Sequence, residues 1–159
     1  MDTLLKMIHQ NARLSVEELA VLCDMTPEQI AAQIDEYHRE KIIVGYRAIV
    51  NWEKAGSQSV ASIIELKISP KPDFGFDEFA ADVSRFPEVE RVYLMSGGYD
   101  ILIEVVAKSF KDIAMFVAKR LSPMESVLST ATHFVLKTYK ENGVVINGEK
   151  SDERSFTII

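Results

Sequence analysis

The short segment Ser96-Gly97-Gly98-Tyr99-Asp100 brings two glycines, an aromatic ring and a carboxylate together at one point of the chain. Backbone N–H groups exposed at a Gly-Gly turn can hold a carboxylate, and glycine lets a ligand approach the backbone closely. The Asp100 carboxylate suits an ammonium group through a charge-assisted hydrogen bond. The same residues also form an ordinary hairpin turn that Asp100 would stabilise, and taken alone they favour that interpretation.

Side chains that could catalyse a reaction or hold a metal are few and scattered. His9, His38 and His133 show no metal-ligand spacing with the single cysteine or with acidic residues. Cys23 falls at the end of a predicted helix, where a small core residue is a better interpretation than a nucleophile. We therefore expect no metal, no cofactor and no enzymatic activity.

The N-terminal region has the start signals of successive short helices. A first helix is predicted around Leu4–Ile8, with Thr3 as its N-cap. Ser15-Val16-Glu17-Glu18 and Thr26-Pro27-Glu28-Gln29 then each have the form of a capping box. Two capped helices joined by so short a turn predict a helix-turn-helix, and the alternative is a small helical bundle that merely packs.

Apolar residues at helical spacing define the inner face of these helices. In the second helix the expected inward residues are Val16, Leu19, Ala20 and Leu22, and in the third, which runs to about residue 39 or 40, they are Ile30, Ile34 and Tyr37. The β-branched run over residues 42–50 predicts one or two strands, the wing of a winged helix. Residues 51–58 are interpreted as a linker between a first domain over residues 1–50 and a second over residues 59–140.

The second domain begins where the hydrophobic period changes from helical to alternating. Ser62, Ile64, Leu66 and Ile68 share one face of a predicted strand. A helix over 76–86, a hairpin formed by 89–95 and 99–106, a helix over 110–121 and a strand region over 127–139 follow. The order β-α-β-β-α-β predicts a ferredoxin-like αβ-sandwich, so the chain as a whole is of the α+β class.

The sheet of such a sandwich has a second face that the helices do not cover. Ile63, Leu102 and Val135 would be exposed there, so we expect a homodimer formed through this domain. The tail over residues 141–159 ends in Phe156-Thr157-Ile158-Ile159, which would either add a strand or dock on a neighbour.

Composition and charge exclude several classes of protein. Apolar residues make up 47% of the 159 residues and charged residues 26%, which is typical of a globular chain and excludes a wholly disordered one. One cysteine excludes a disulfide framework and fits a reducing compartment, and the absence of a signal peptide or long apolar run predicts a cytoplasmic protein without membrane contact. The net charge of −6 argues against a generic basic nucleic-acid binder.

These elements, in this order and over roughly residues 1–140, resemble the Lrp/AsnC family, the leucine-responsive/asparagine or feast/famine regulators of bacteria and archaea. The segments that carry the resemblance are Asn11-Ala12-Arg13-Leu14-Ser15, Glu18-Leu19-Ala20, Ile42-Ile43-Val44-Gly45-Tyr46, and the Ser-Gly-x-aromatic-Asp hairpin at residues 96–100. The resemblance implies a DNA-binding N-terminal domain and a C-terminal domain that binds an amino acid. It also implies dimers through the C-terminal sheet that assemble into tetramers or octamers.

The resemblance also implies which residues would contact the effector. It places an amino acid between subunits near the hairpin turn, bordered by Gly97, Gly98, Tyr99 and Asp100, with Thr130 and Thr132 on the last strand as further candidates. Met124, beside the turn at Pro123, fills a gap in the core or lines the effector pocket.

The second helix of a helix-turn-helix enters the major groove of double-stranded DNA with its N-terminal residues at base edges. Here these residues are Thr26, Pro27, Glu28, Gln29, Ala32, Gln33 and Glu36. A Gln can bond adenine bidentately and a Glu can accept a hydrogen bond from cytosine. The candidates for phosphate contacts are Arg13, Arg39, Lys41 and Arg47.

The charge of the predicted DNA-binding half is unfavourable to phosphate binding. Residues 1–50 carry five basic and eight acidic side chains, and Gln33 and Glu36 stand where the family usually has arginines. Oligomers can recover affinity through effective concentration, so the hypothesis is weak, cooperative and strongly salt-dependent DNA binding. The function predicted is a sequence-specific transcription regulator whose effector controls its assembly. The alternative is a small-molecule sensor or interaction protein of the same fold with weak or no DNA binding.

Overall fold

A computed structural model describes residues 2–69 and 75–146. The chain divides into two compact units, Met1–Ile49 and Val50–Ile159, and each is described by itself. A separate linker over residues 51–58 stays a prediction. Within the described ranges, no helix is both long and apolar enough to cross a membrane.

The N-terminal unit consists of helices α1 (Thr3–Gln10), α2 (Val16–Cys23) and α3 (Pro27–Arg39). Both predicted capping boxes are confirmed: Ser15 Oγ accepts from Glu18 N–H, and Thr26 Oγ1 accepts from Gln29 N–H. The predicted cap of α1 was wrong, because Asp2 rather than Thr3 is the N-cap. The Asp2 carboxylate accepts from the N–H of Leu4 at 2.8 Å, and so satisfies a backbone donor that the helix leaves free.

The core of this unit forms where the three helices meet. Its buried residues are Leu4, Ile8, Leu19, Ala20, Ile30 and Tyr37, with Ile34 and Val16 packed against them. The prediction that Leu22 points inward was wrong, because its side chain is 52% exposed and Cys23 packs on the core instead. At 3.6 residues per turn Leu22 lies roughly 110° from the centre of the face formed by the inward residues.

The predicted wing is absent from the described part of the chain. No strand occurs between α3 and residue 60, and residues 44–50 run without regular secondary structure. Val44 is 88% exposed and Tyr46 50% exposed. A β-branched run becomes a strand only where a neighbour supplies a ladder of hydrogen bonds, and within the described residues this segment has no such neighbour.

The C-terminal unit contains the predicted ferredoxin-like sandwich. Its strands are β1 (Val60–Ile68), β2 (Val89–Leu94), β3 (Ile101–Ala107) and β4 (Val127–Phe134), antiparallel in the order β2-β3-β1-β4. Its helices are α4 (Phe76–Val83) and α5 (Phe110–Phe116), and a π-helical turn over Val117–Leu121 extends α5. Helix α4 ends at Val83, earlier than the predicted residue 86, and the next residues form tighter turns in which Arg85 N–H donates to Asp82 O and Phe86 N–H donates to Val83 O.

The two faces of the sheet differ in burial. Ser62, Ile64, Leu66 and Ile68 are buried on one face, as their alternation predicts, and the core there includes Phe79 and Ile113 from the helices. On the other face Ile63, Leu102 and Val135 remain half-buried within a single chain.

A short hairpin follows the sandwich, at the predicted boundary between the second domain and the tail over residues 141–159. Strands β5 (Lys140–Glu141) and β6 (Val144–Val145) pair across Asn142 and Gly143, whose φ values are 44° and 86°. Asn-Gly is the preferred sequence of a tight hairpin turn with positive φ, so the signal was present but overlooked. The predicted apolar end of the tail, residues 156–159, lies outside the described residues.

Candidate functional site

Helix α3 presents the residues predicted to read bases, but two of them bond each other. Gln29 Oε1 accepts from Thr26 N–H at 2.9 Å while Thr26 Oγ1 accepts from Gln29 N–H at 3.3 Å. A bidentate contact to adenine needs both the oxygen and the nitrogen of the amide. Because its amide oxygen is engaged in the capping box, Gln29 is not available for a bidentate contact to adenine. Gln33, one turn further along α3, is the other predicted amide that could make this contact.

Two acidic side chains of α3, Glu28 and Glu36, interact with groups close to them along the chain. Hydrogen bonds from its own backbone N–H and from the Thr26 hydroxyl lower the pKa of the Glu28 carboxyl at the start of the helix. Glu36 forms an ion pair with Arg39, whose side chain is 70% exposed. An exposed pair of this kind contributes little stability, but it neutralises one of the predicted phosphate contacts.

The remaining predicted DNA contacts lie on separate segments of the unit. Pro27 and Ala32 are exposed on α3, Arg13 lies in the α1–α2 connection, Lys41 follows the C-cap residue Glu40 of α3, and Arg47 lies in the segment without regular secondary structure. Lys41 has φ 56°, in the left-handed region that glycine adopts most easily. These basic residues are exposed, so each is accessible to a phosphate.

A hydrogen bond between exposed Asp2 and buried Tyr37, which no pattern in the sequence indicates, links the start of α1 to α3. The Tyr37 hydroxyl donates to Asp2 Oδ2, and this bond lowers the pKa of the Asp2 carboxyl. Burial, together with the same bond, raises the pKa of Tyr37 to about 12. A tyrosine at a core position needs a partner for its hydroxyl, and the N-cap of α1 provides it.

The Gly97–Asp100 turn joins β2 to β3 and is anchored to β1. Asp100 N–H donates to Leu66 O at 3.0 Å, and Asp100 Oδ2 accepts from Ile68 N–H at 2.8 Å. Gly97 has φ 154°, and a Cβ at Gly97 or Gly98 would meet no atom within 4 Å. The glycines are thus open to a ligand, while the Asp100 carboxylate already has one structural bond.

The other predicted effector residues lie toward the same end of the sheet. Thr130 pairs with Leu66 across β1 and β4, and Thr132 pairs with Ile64 two residues further in. Met124 packs half-buried against the core, and its carbonyl accepts from Val127 N–H where β4 begins. Tyr99 and Asp100 are half-buried. The register thus brings the turn and the start of β4 to the two sides of β1.

A groove of about 510 Å³ lies elsewhere in this unit, and no predicted effector residue lines it. Its wall is formed by the start of β2, the end of β3, helix α5 and the π-helical turn. The side chains on the groove include Glu88, Lys108, Phe116 and Lys119. No pattern along the sequence indicates this site, because its residues come from three separate segments.

The comparison that decides the family covers this C-terminal unit. A family model described as the Lrp/AsnC ligand binding domain matches residues 61–145. The chain belongs to the Lrp/AsnC family. Over 152 residues it is 40% identical to the HTH-type transcriptional regulator YugG of Bacillus subtilis (strain 168), covering 95% of this chain and 92% of that one.

More distant relatives are also similar over most of the length of the chain. The chain is 26% identical over 141 residues to a proline dehydrogenase transcriptional activator of Rhizobium radiobacter, covering 89% of this chain and 90% of the relative. The crystal structure of the Neisseria meningitidis regulator NMB0573 with L-Met has a TM-score of 0.73 at 23% identity, over 91% of this chain and 96% of that one. Escherichia coli AsnC has a TM-score of 0.68 at 24% identity, over 89% and 95%.

The family fixes the general function of the two units. This Lrp/AsnC protein is an HTH-type transcriptional regulator whose C-terminal unit is a ligand-binding domain. The solved structures, at these identities, establish the shared fold.

Proposed function

We propose that this regulator binds an amino acid at the Gly97–Asp100 turn and binds DNA through α3, and that the amino acid changes DNA affinity by altering the assembly of subunits. The observation that supports the effector site is the open Gly97–Gly98 backbone beside the Asp100 carboxylate. A carboxylate has about four lone-pair sites, so Asp100 can accept from a ligand ammonium as well as from Ile68. We place this activity in the cytoplasm, without an enzymatic step.

A thermal-shift screen with the twenty amino acids tests the effector, because a ligand that binds only the folded state raises Tm. Asp100→Asn then tests the residue: an amide oxygen can still accept from Ile68 N–H, but the negative charge is lost. We expect the amino acid found by the screen to bind about tenfold more weakly to this variant in calorimetry. Asp77→Asn, an equally small change on exposed α4, is the control and should bind normally. Unchanged affinity of Asp100→Asn would remove Asp100 from the site.

DNA binding through α3 is tested with a labelled duplex taken from the protein's own upstream region. Fluorescence anisotropy at low and moderate salt should show binding that falls steeply as salt rises. Gln33→Ala should weaken it about tenfold, since a bidentate base contact contributes about 1–3 kcal/mol. Gln58→Ala, the same change before β1, should have no effect. Failure of the folded oligomer to bind at any salt would contradict this part of the proposal.

The pairing of Glu36 with Arg39 gives the DNA experiment a second variant. Glu36→Gln removes a negative charge from α3 and releases the Arg39 guanidinium for phosphate. We expect tighter binding at low salt and a steeper salt dependence. Weaker binding would show that Glu36 itself contacts a base.

A homodimer through the open sheet face, assembled further into a tetramer or octamer, is part of the proposal. Half-buried Ile63, Leu102 and Val135 on that face support it, because apolar side chains on a sheet are stabilised when a second sheet covers them. Leu102→Lys should shift the sedimentation coefficient toward the monomer. Val21→Lys, at an 83% exposed position of the other unit, should leave it unchanged.

A sensor that hardly touches DNA is the second candidate. The observation that favours it is the acidic surface of α3, where Glu28 is ionised and Arg39 is already paired. Amino-acid binding together with undetectable duplex binding at low salt would establish this alternative.

A further inference from the structure

The groove at the end of the β2–β3 hairpin opposite the Gly97–Asp100 turn has the features of a separate ligand site. Strand β3 spans its seven residues from Ile101 to Ala107 between the two places, about 20 Å at the usual rise of a strand. The groove and the turn therefore share no residue, and a ligand of amino-acid size could not touch both.

The acidic side of the groove contains a buried acceptor without a donor. Glu88 Oε2 is shielded from solvent and accepts no hydrogen bond within the described residues. The backbone of Glu88 is fixed, because its carbonyl accepts from Val106 N–H at 2.8 Å. A shielded carboxylate oxygen is stabilised by a donor, and a cationic N–H is the strongest available.

The groove is also lined by two lysines that form no ion pair in the part of the chain that the structure describes. Over residues 2–69 and 75–146, neither Lys108 nor Lys119 takes part in an ion pair. The other two charged side chains of the groove have contacts within the protein: the Arg120 guanidinium lies 5.2 Å from the centre of the Phe86 ring, and the Asp112 carboxylate accepts from the Ser109 hydroxyl at 2.7 Å. Asp112 and Arg120 keep their charges, so the groove carries two carboxylates and three cations, and of these Glu88 Oε2 has no donor and Lys108 and Lys119 have no ion pair among the described residues.

The backbone beneath these cations is irregular at this point. Ser122 N–H donates to Val117 O at 2.8 Å, five residues back, which closes the π-helical turn that carries Lys119 and Arg120. Single π-helical turns within α-helices occur frequently at functional sites. Between the charges the surface is apolar and includes Val106, Met115 and Phe116.

We propose that this groove binds a small zwitterion with an apolar side chain, as a second site that does not depend on effector binding at the turn. The ligand ammonium donates to Glu88, its carboxylate accepts from Lys108 and Lys119, and its side chain packs on Met115 and Phe116. An anion alone would leave Glu88 without a donor, and a cation alone would leave both lysines without an acceptor. A zwitterion of about the size of an amino acid satisfies all three groups.

Calorimetric titration of the full-length Asp100→Asn protein with L-norleucine tests the proposal, because that background weakens any binding at the turn. Glu88→Gln and Lys119→Gln, each added to it, should weaken binding at least about tenfold, as expected for loss of a charged hydrogen bond. Lys111→Gln, on exposed α5 but outside the groove, should leave affinity unchanged. Circular dichroism confirms that each variant is folded.

Two analogues test the charge assignment on the same protein. Hexanoate lacks the ammonium of norleucine and n-pentylamine lacks its carboxylate, so both should bind at least about tenfold more weakly. The proposal is overturned if norleucine gives no heat up to its solubility limit, if the groove variants bind it normally, or if hexanoate binds as tightly as norleucine. None of these results would affect the turn, whose own test is the amino-acid screen on the wild-type protein, followed by calorimetry of Asp100→Asn.

Discussion

The two ends of the β2–β3 hairpin use their charged side chains in different ways. At the turn the protein itself engages Asp100, whose carboxylate and N–H both bond β1. At the groove Glu88 Oε2 has no donor and Lys108 has no ion pair within the described residues. A charge bonded inside the fold contributes to stability, whether or not it also binds a ligand, whereas a charge without a partner can contribute only to binding. Substitutions at Asp100 should therefore change both stability and ligand affinity, and substitutions at Glu88 should change ligand affinity alone.

The largest effect on stability is expected for Asp100→Ala. It leaves the Ile68 N–H without its acceptor at the end of a core strand, and should lower the free energy of unfolding by about 2–3 kcal/mol. Urea denaturation measures this. Asp100→Asn keeps an acceptor oxygen and should lose much less. Equal loss in both variants would show that the charge rather than the hydrogen bond stabilises the turn.

Tyr37→Phe applies the same comparison to the N-terminal unit, where the Asp2 carboxylate accepts a hydrogen bond from the Tyr37 hydroxyl. Loss of the bond to Asp2 should cost about 1.5 kcal/mol at neutral pH. Asp2 has a lowered pKa, so its contribution is present above its ordinary value of 3.8 and is lost as pH falls below it. Tyr37 has its pKa raised from 10.0 to about 12, so its contribution is lost as pH rises through that range.

Urea denaturation of wild type and Tyr37→Phe at several pH values separates these terms. The stability difference between them should be largest near neutral pH and smaller at both extremes. A difference that is constant with pH would mean that the bond stabilises only through packing of the ring.

Lys41→Gly tests the conformational free energy of a backbone in the left-handed region rather than the loss of a polar contact. Lys41 has φ 56°, where a residue with a Cβ is less stable than glycine, so the substitution should raise stability by about 1 kcal/mol. Asp24→Gly, at φ 54°, should gain less because aspartate tolerates this region. Thermal unfolding of both variants decides; a lower Tm for Lys41→Gly would show that the lysine side chain stabilises the unit.

Glu88→Gln should have the smallest effect on stability. Because the carboxylate oxygen has no partner in the protein, its replacement should change the free energy of unfolding by less than about 0.5 kcal/mol. A decrease in the free energy of unfolding comparable to that of Asp100→Ala would contradict this prediction, because it would show that Glu88 stabilises the fold.

Local signals in the sequence predicted local structure well. The capping boxes at Ser15 and Thr26 and the alternation from Ser62 to Ile68 are confirmed, since each involves residues within a few positions of one another. The wing over residues 42–50 was wrong because a strand depends on a partner that no local pattern reveals. The cap of α1 was misplaced by one residue, which local patterns seldom resolve.

The sites were less predictable than the fold. The sequence predicted a hairpin turn over residues 96–98 with its second strand from residue 99, whereas β3 begins at Ile101. Nothing in the sequence indicated that Asp100 bonds Ile68, a residue 32 positions away. Similarly, the capping role of Gln29 and its predicted role as a base reader compete for the same amide oxygen. The groove combines Glu88, Lys108 and Lys119 through the topology of the sheet, so no spacing along the chain announces it.

We propose that amino-acid binding in the C-terminal unit controls DNA binding by the N-terminal unit. This coupling is measured by fluorescence anisotropy of the upstream duplex, with and without a saturating concentration of the amino acid found in the screen. We expect the ligand to change duplex affinity, and duplex to change ligand affinity by the same factor, as reciprocal linkage requires. An amino acid that binds the folded oligomer while leaving duplex affinity unchanged would contradict the account.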